Sequence, residues 1–248
     1  MRGEETNMIK VLGICGSPRI GNSQFLLDKA LDSAGQVSEE VQITMDTIRG
    51  KQYAGCVMCQ ACMKDGECVI KDDFQELRDK WIKADVVIYS VPVYHMSMPA
   101  QLKAFIDRLG NSLFGRYKDV FPPGKETLPR SLKVIGTIAQ GTHVFSGQEH
   151  TITDMINHAL IMGCVPVTGD MWEAYIGAGG WTNTRPERNA METLVAENDP
   201  DALVAVRASR SIGKRAVEMA MLLKAGALAR EDYFEKDPVY HPFLKRVK

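Results

Sequence analysis

The run Ile9-Lys-Val-Leu-Gly-Ile-Cys15 is apolar at nearly every position, the pattern of a parallel strand buried on both faces. It breaks at Gly16-Ser-Pro-Arg-Ile-Gly-Asn-Ser23. Phe25, Leu26, Leu27, Ala30 and Leu31 then form one apolar side, with Gly35 near the end, and predict a helix over about 23–34. Val41 to Met45 alternates apolar with polar and reads as a half-exposed strand near a sheet edge. Residues 50–71 carry no period. Asp72-Asp73-Phe-Gln-Glu76 sets an acid three residues before a Glu, a capping box that opens a helix to about Ala84. Asp85-Val-Val-Ile-Tyr-Ser90 is a third strand. After 91–98, Pro99 stands where a first helical residue belongs, and Leu102, Phe105, Ile106 and Leu109 carry that helix to about Leu113.

Three prolines and Gly124 mark 115–130 as an exposed insertion. Ser131–Ala139 is a fourth strand, 148–162 a helix, and Cys164-Val-Pro-Val-Thr168 a fifth strand whose proline suits an edge or an end. Gly177-Ala-Gly-Gly-Trp-Thr-Asn183 reads as a glycine-rich loop, and Asp199-Pro200 opens a long helix to about Leu228.

Strands alternating with helices specify an α/β fold: a doubly wound, five-stranded parallel sheet with helices on both faces. The expected order is 2-1-3-4-5, with a ligand crevice where the winding reverses between the first and third strands. A single domain spans 8–228, followed by a tail over 229–248. The β-to-α connections 16–22, 50–71, 91–98, 140–147 and 170–198 fall on the carboxyl edge of such a sheet. The loop at 50–71 is therefore expected beside the crevice. The insertion at 115–130 belongs on the far edge, suited to packing or subunit contact rather than catalysis.

Composition changes this picture little. The 248 residues are 45% apolar and 25% charged with a formal net charge of −1, so no footprint for nucleic acid or an anionic membrane appears. The first residues are acidic where a signal peptide needs a basic start, and no stretch reaches a membrane-spanning length. A soluble, cytoplasmic protein is expected, in a compartment that keeps thiols reduced.

Cysteine usage changes it more. Cys56, Cys59, Cys62 and Cys68 follow the spacing C-x2-C-x2-C-x5-C, too crowded for two unstrained disulfides and suited to a common ligand. Thiolates are the soft ligands that iron–sulfur clusters and zinc select, and the first three repeat a spacing used on [4Fe–4S] cubes. Zinc and idle free thiols stay open on spacing alone. Apolar Val57, Met58, Ala61 and Met63 would limit water and hydrogen bonding at the sulfurs. Cys15 and Cys164 fall in strands and read as small core residues. His95 is a loop candidate, whereas His143, His150 and His158 lack metal-ligand spacing and read as structural or surface groups.

The loop Gly16–Ser23 is neither a Walker motif nor GxGxxG. It offers hydroxyls, an amide, Arg19 and free N–H groups at a helix start. A phosphate site or a plain tight turn both fit.

Together with Ser90-Val-Pro-Val-Tyr-His-Met-Ser-Met-Pro-Ala-Gln-Leu-Lys103 and Asp107-Arg108, this loop resembles the NADPH-dependent FMN reductase family of flavodoxin-like proteins. The compact cysteine motif makes the iron–sulfur flavoprotein branch the best match, over roughly residues 8–165. The resemblance implies an FMN site. Ser17, Arg19, Asn22, Ser23 and Gln24 would hold the phosphate, and Pro92, Val93, Tyr94, His95 and Met96 would run along the isoalloxazine. The loop from Gln140 and Gly141 to Val144 would close its other side. Trp172, Tyr175 and Trp181 could roof the flavin or pack a long loop on the sheet.

It further implies a [4Fe–4S] cluster on the four cysteines, in dimers or tetramers that bring clusters close to flavins. The expected function is a flavin-dependent oxidoreductase passing electrons between a ferredoxin-like or NAD(P)H donor and a small-molecule or carrier acceptor, such as a quinone or an oxygen species. NAD(P)H would then be a substrate. The alternatives are an FMN-dependent NAD(P)H:acceptor reductase without a cluster and a non-catalytic module shaped by zinc.

Overall fold

The computed structural model describes residues 8–120 and 130–248; residues 1–7 and most of the expected insertion at 115–130 lie outside the described residues. Strands β1 (Ile9–Cys15), β2 (Val41–Thr47), β3 (Val86–Pro92), β4 (Val134–Gly141) and β5 (Val165–Pro166) form a parallel sheet in the order 2-1-3-4-5, as expected. β1, β3 and β4 are buried almost throughout, which is why they read as continuous apolar runs. β2 lies at the edge and exposes Ile43 and Met45.

A sixth strand corrects the reading of 177–183 as loop. β6 (Ala178–Trp181) runs parallel to the last residues of β4, from Ile138 to Gly141, above the point where β5 has already left that edge. Its glycines contradict strand propensity, but a Cβ at Gly180 would come within 3.1 Å of Leu26 and 3.2 Å of Ala205 and of Met191. Close approach of helices to the backbone selects small residues here and overrides propensity.

Helices α1 (Asn22–Gly35), α5 (Ala190–Ala196) and α6 (Pro200–Ala229) cover one face, where Leu26, Leu27 and Ala30 meet Ala205, Ile212 and Ala216 over Val11 and Ile88. Helices α2 (Phe74–Lys83), α3 (Ala100–Arg116) and α4 (Gln148–Ile161) cover the other, with Phe74, Trp81, Phe105 and Met155 packed on Leu12, Val87 and Tyr89. The Asp199 carboxylate caps α6 by accepting from the N–H groups of Asp201 and Ala202. Among the described residues, no helix is long and apolar enough to cross a membrane.

The capping box of α2 is shifted by one residue. Asp72, rather than Asp73, accepts from Phe74 N–H, and Gln75 rather than Glu76 accepts from Asp72 N–H. Asp73 instead accepts from Gln52 N–H, and Glu76 pairs with Lys80. The tail ends in α7 (Glu231–Phe234) and α8 (His241–Val247), which pack on the last turns of α6 around Leu223 and Ala227; Arg246 reaches Asp85 at 2.8 Å at the amino edge of β3.

Candidate functional site

Two loop systems leave the carboxyl edge of the sheet. The first comprises the loop after β1, the loop after β3 and the loop after β4. Ser17 shapes the first: its hydroxyl donates to Arg19 C=O at 2.7 Å and accepts from Arg19 N–H at 3.2 Å. The first intrahelical bond of α1 runs from Phe25 N–H to Gly21 C=O, so the N–H groups of Asn22, Ser23 and Gln24 precede it. No acid occupies that first turn. Such a helix start attracts an anion through its free donors and dipole. Gln24 also has a side-chain oxygen buried without a partner, and Arg19 is exposed.

Asn22 is differently employed. Its amide donates to Glu187 C=O at 3.1 Å and accepts from Met191 N–H at 2.9 Å, so both ends hold the segment before and at the start of α5. That segment also returns Thr184 N–H to Thr142 C=O at 2.8 Å. Residues 182–191 thus tie the first loop to the third, a role no local sequence signal announces.

Across the switch point, Ser90 Oγ donates to Ser23 C=O at 2.7 Å and fixes β3 against α1. Val93 N–H donates to Gln140 C=O at 2.8 Å, joining the second loop to the third. Tyr94 and Ser97 then close a tight turn with paired N–H···O=C bonds of 2.8 and 3.1 Å, and its central residues His95 and Met96 sit at φ 49° and 71°. Two non-glycine residues in the left-handed region cost on the order of 1 kcal/mol each, and such strain gathers at functional loops. Gly147, at φ 100°, lets the start of α4 pass against Met96, where a Cβ would lie 3.0 Å away. Gln148, which sequence reasoning missed, donates to His143 C=O and Gly180 C=O and accepts from Ser146 N–H, knitting the third loop to β6.

A cavity of about 660 Å³ opens beside the third loop, walled by Met96, Val144, Phe145, Gln148, Trp172 and Tyr175; it reaches the turn after β3 only at Met96 and does not reach the loop after β1. Trp172 is 91% exposed and Phe145 86%. Trp172 is therefore not packing a loop on the sheet.

The second system is the cysteine loop, and it corrects the expectation that the cysteines stand beside the crevice. Its ends do lie at the carboxyl edge, but its body runs along α3 towards that helix's last turns. Tyr53 meets Phe105 edge-to-face, Ala54 C=O accepts from Arg108, and the carbonyl of Cys62 lies where a Cβ on Gly115 would collide. Ser112 Oγ and Arg78 both donate to Gly66 C=O, and Lys118 to Lys64 C=O. Positions 108, 112 and 115 share one helix face by period. Along α3, helical rise from Pro99 amounts to about 14 Å at Arg108, which meets Cys68, and about 18 Å at Asn111, which meets Cys56.

Cys56, Cys59, Cys62 and Cys68 are all free thiols and all line one cavity of about 270 Å³, with Val57, Met58, Met63, Val69, Arg108 and Phe114. Among the described residues, no three Cys, His, Asp or Glu side chains converge on a point that would hold a single metal ion. All four thiols face that one cavity, and thiolate is the ligand type that an iron–sulfur core or a zinc ion would each take there. Partial burial, then the neighbouring Cys68, pushes the Cys62 thiol up, a repulsion that a bound cationic core would relieve.

The apolar neighbours expected to limit hydrogen bonding at the sulfurs leave two donors in reach: Arg108 Nη2 lies 3.4 Å from Cys68 Sγ and Asn111 Nδ2 3.6 Å from Cys56 Sγ. Cys15 and Cys164 are core residues as expected, the latter pushed up to about 11 by burial.

The profile described as NADPH-dependent FMN reductase matches residues 9–172. An iron–sulfur flavoprotein of Archaeoglobus fulgidus is 32% identical over 84% of this chain and 96% of its own length. Another from Methanosarcina thermophila is 32% identical over 75% of this chain and 90% of its own. Among solved structures, an azoreductase from Bacillus anthracis superposes with a TM-score of 0.57 at 14% identity, over 84% of this chain and 99% of that one, a likeness of fold.

Proposed function

From the premise that this chain belongs to the NADPH-dependent FMN reductase family, in its iron–sulfur flavoprotein branch, we propose a two-cofactor electron carrier. FMN would lie at the crevice and a [4Fe–4S] cluster on Cys56, Cys59, Cys62 and Cys68. The chain is a flavin-dependent oxidoreductase; the cluster, the donor and the acceptor are our reading. A flavin takes up electrons in pairs and gives them singly, whereas a cubane carries one at a time, so the pair supports exchange between two-electron and one-electron partners. We assign a ferredoxin-like protein or NAD(P)H as donor, and a quinone, an oxygen species or another carrier as acceptor.

The protein's part is binding, orientation and exclusion of water. The N–H groups of Asn22, Ser23 and Gln24, with Ser17 and Arg19, would take the phosphate. The strained turn beyond Pro92 and Val93, carrying Tyr94, His95 and Met96, would present backbone groups to the ring, and Gln140 and Gly141 would bound its other side. No side chain is assigned as general acid or base.

The observation that carries the cluster is four unpaired thiols around one cavity of about 270 Å³. The displacement of the cysteine loop along α3, away from the helix start that faces the crevice, supports electron transfer between copies of the chain, as a homodimer or homotetramer would allow. Exposed Val57 and Met58 at the cysteine cavity and exposed Phe145 and Trp172 beside the loop after β4 are apolar surfaces for that contact.

Anaerobic purification with counts of flavin, iron, sulfide and zinc is the test. One FMN and four irons per chain are expected. Flavin without iron after reconstitution would leave a cluster-free reductase, and zinc without flavin a binding module.

A further inference from the structure

Arg108 is 2% exposed on α3 and spends its guanidinium on the cysteine loop. One terminal nitrogen donates to Asp72 at 2.6 Å and to Ala54 C=O at 3.3 Å; the other donates to Ile70 C=O at 2.8 Å and lies 3.4 Å from Cys68 Sγ. Its Nε is buried without a partner. The guanidinium–carboxylate pair is therefore oriented, its positive end towards the sulfur and its negative end away. One helical turn on, the neutral amide of Asn111 lies 3.6 Å from Cys56 Sγ.

We propose that α3 tunes the cysteine-bound redox centre through these two N–H···S contacts, with Arg108 on Cys68 the stronger and Asn111 on Cys56 the weaker; the inference rests on the cluster reading above. One-electron reduction adds one negative charge, shared between the core and its thiolates. A donor aimed at a thiolate sulfur stabilises the reduced state more than the oxidised one, and a cation in a poorly hydrated site does so most. Both contacts raise the midpoint potential. Arg108 and Asn111 are positioning residues that act through the ligand sulfurs. A guanidinium that only bolted the loop would act through Ala54, Ile70 and Asp72, and its loss would change how much cluster is held rather than the potential of the cluster that remains.

The wild-type protein, Arg108→Lys and Asn111→Leu are reconstituted anaerobically with iron and sulfide. Iron, sulfide and FMN are counted, and midpoints are read by spectroelectrochemical titration. Arg108→Lys keeps a charge but loses the fork. At the wild-type midpoint its reduced-to-oxidised ratio should fall about tenfold, which is about 59 mV for one electron. Asn111→Leu should fall about threefold in the same direction, and the FMN midpoint should not move in either. Full iron with wild-type midpoints in both variants overturns the inference. If Arg108→Lys holds no cluster, Asn111→Leu decides: a lowered midpoint sustains the proposal and an unchanged one overturns it. A wild-type protein that takes up no iron or sulfide overturns the cluster reading itself, and this inference with it.

Discussion

The crevice loops and the cysteine loop leave the same edge of the same sheet, yet they are fastened in opposite ways. The crevice loops are held mainly by backbone bonds and small neutral side chains: Val93 N–H to Gln140 C=O, the Tyr94–Ser97 turn, and Ser17 folded onto Arg19. The cysteine loop is held by charged side chains: Arg108 and Arg78 reach its carbonyls from helices, and at its entrance Asp46 of β2 takes the loop's own Lys51 together with Lys80 of α2. Self-held loops stay at the crevice, close to the unbonded N–H groups that open α1. A clamped loop goes where its clamps are, here down the flank of α3. The topological rule for α/β sheets governs where a connection begins and ends, and has no hold on a long connection's body.

The largest effects should separate the two systems outright. Cys59→Ser removes one thiol from the cavity and leaves the crevice untouched. Iron should be lost on purification while FMN stays near one per chain. Loss of FMN with retention of iron would exchange the two assignments. Gly115→Val should come next. Its side chain would enter the space of the Cys62 carbonyl, where a rigid helix meets backbone, and overpacking of this kind costs about 3 kcal/mol. Urea unfolding should show that loss, iron content should fall, and FMN affinity should be near wild type. A Gly115→Val protein with wild-type iron content would show that α3 does not seat the loop.

Legibility in the sequence followed the same division. Buried strands were readable because Ile9–Cys15 and Asp85–Ser90 are apolar on both faces, and strand order followed from chirality and loop length. β6 was not readable, because Ala-Gly-Gly-Trp is selected by the closeness of Leu26, Ala205 and Met191, which only the fold reveals. Likewise the four cysteines announce a shared ligand by spacing, but nothing in 50–71 says that Arg108, some forty residues on, will face Cys68. Asn22 was readable as polar and near a helix start. That its amide would serve Glu187 and Met191 depends on a segment with no local signal.

Acid should distinguish the two fastenings more gently. Burial pushes the Asp46 carboxyl up, but Lys51, Lys80 and Thr47 N–H outweigh it and hold the group below the usual carboxylate range. A lowered folded value means that this clamp contributes fully above the unfolded-chain value of about 3.9 and is lost as pH falls through the lower, folded value. Asp46→Ala should cost about 2 kcal/mol at neutral pH, since two partly exposed ammonium groups lose their acceptor. The difference from wild type should shrink below about pH 4. Cleavage by trypsin after Lys64 should quicken in the variant, with FMN binding little changed. Equal pH dependence in the two proteins would remove Asp46 from the comparison.

The smallest effect tests the crevice from its own side. Ser17 uses its hydroxyl twice within its own loop, so Ser17→Ala frees the backbone around Arg19 at the phosphate position. Each such bond is worth about 1 kcal/mol, so FMN affinity should weaken about fivefold in a fluorescence titration. Iron content should hold, because no residue of the cysteine loop leans on Ser17. Asn22→Ala should weaken FMN as well, by another route: with Glu187 and Met191 released, residues 182–191 should show faster amide exchange, which Ser17→Ala should not produce. If Asn22→Ala weakens FMN without that exchange, its amide serves the ligand directly. If Ser17→Ala leaves FMN affinity unchanged, the loop after β1 is a tight turn, and the flavin is held by the loops after β3 and β4.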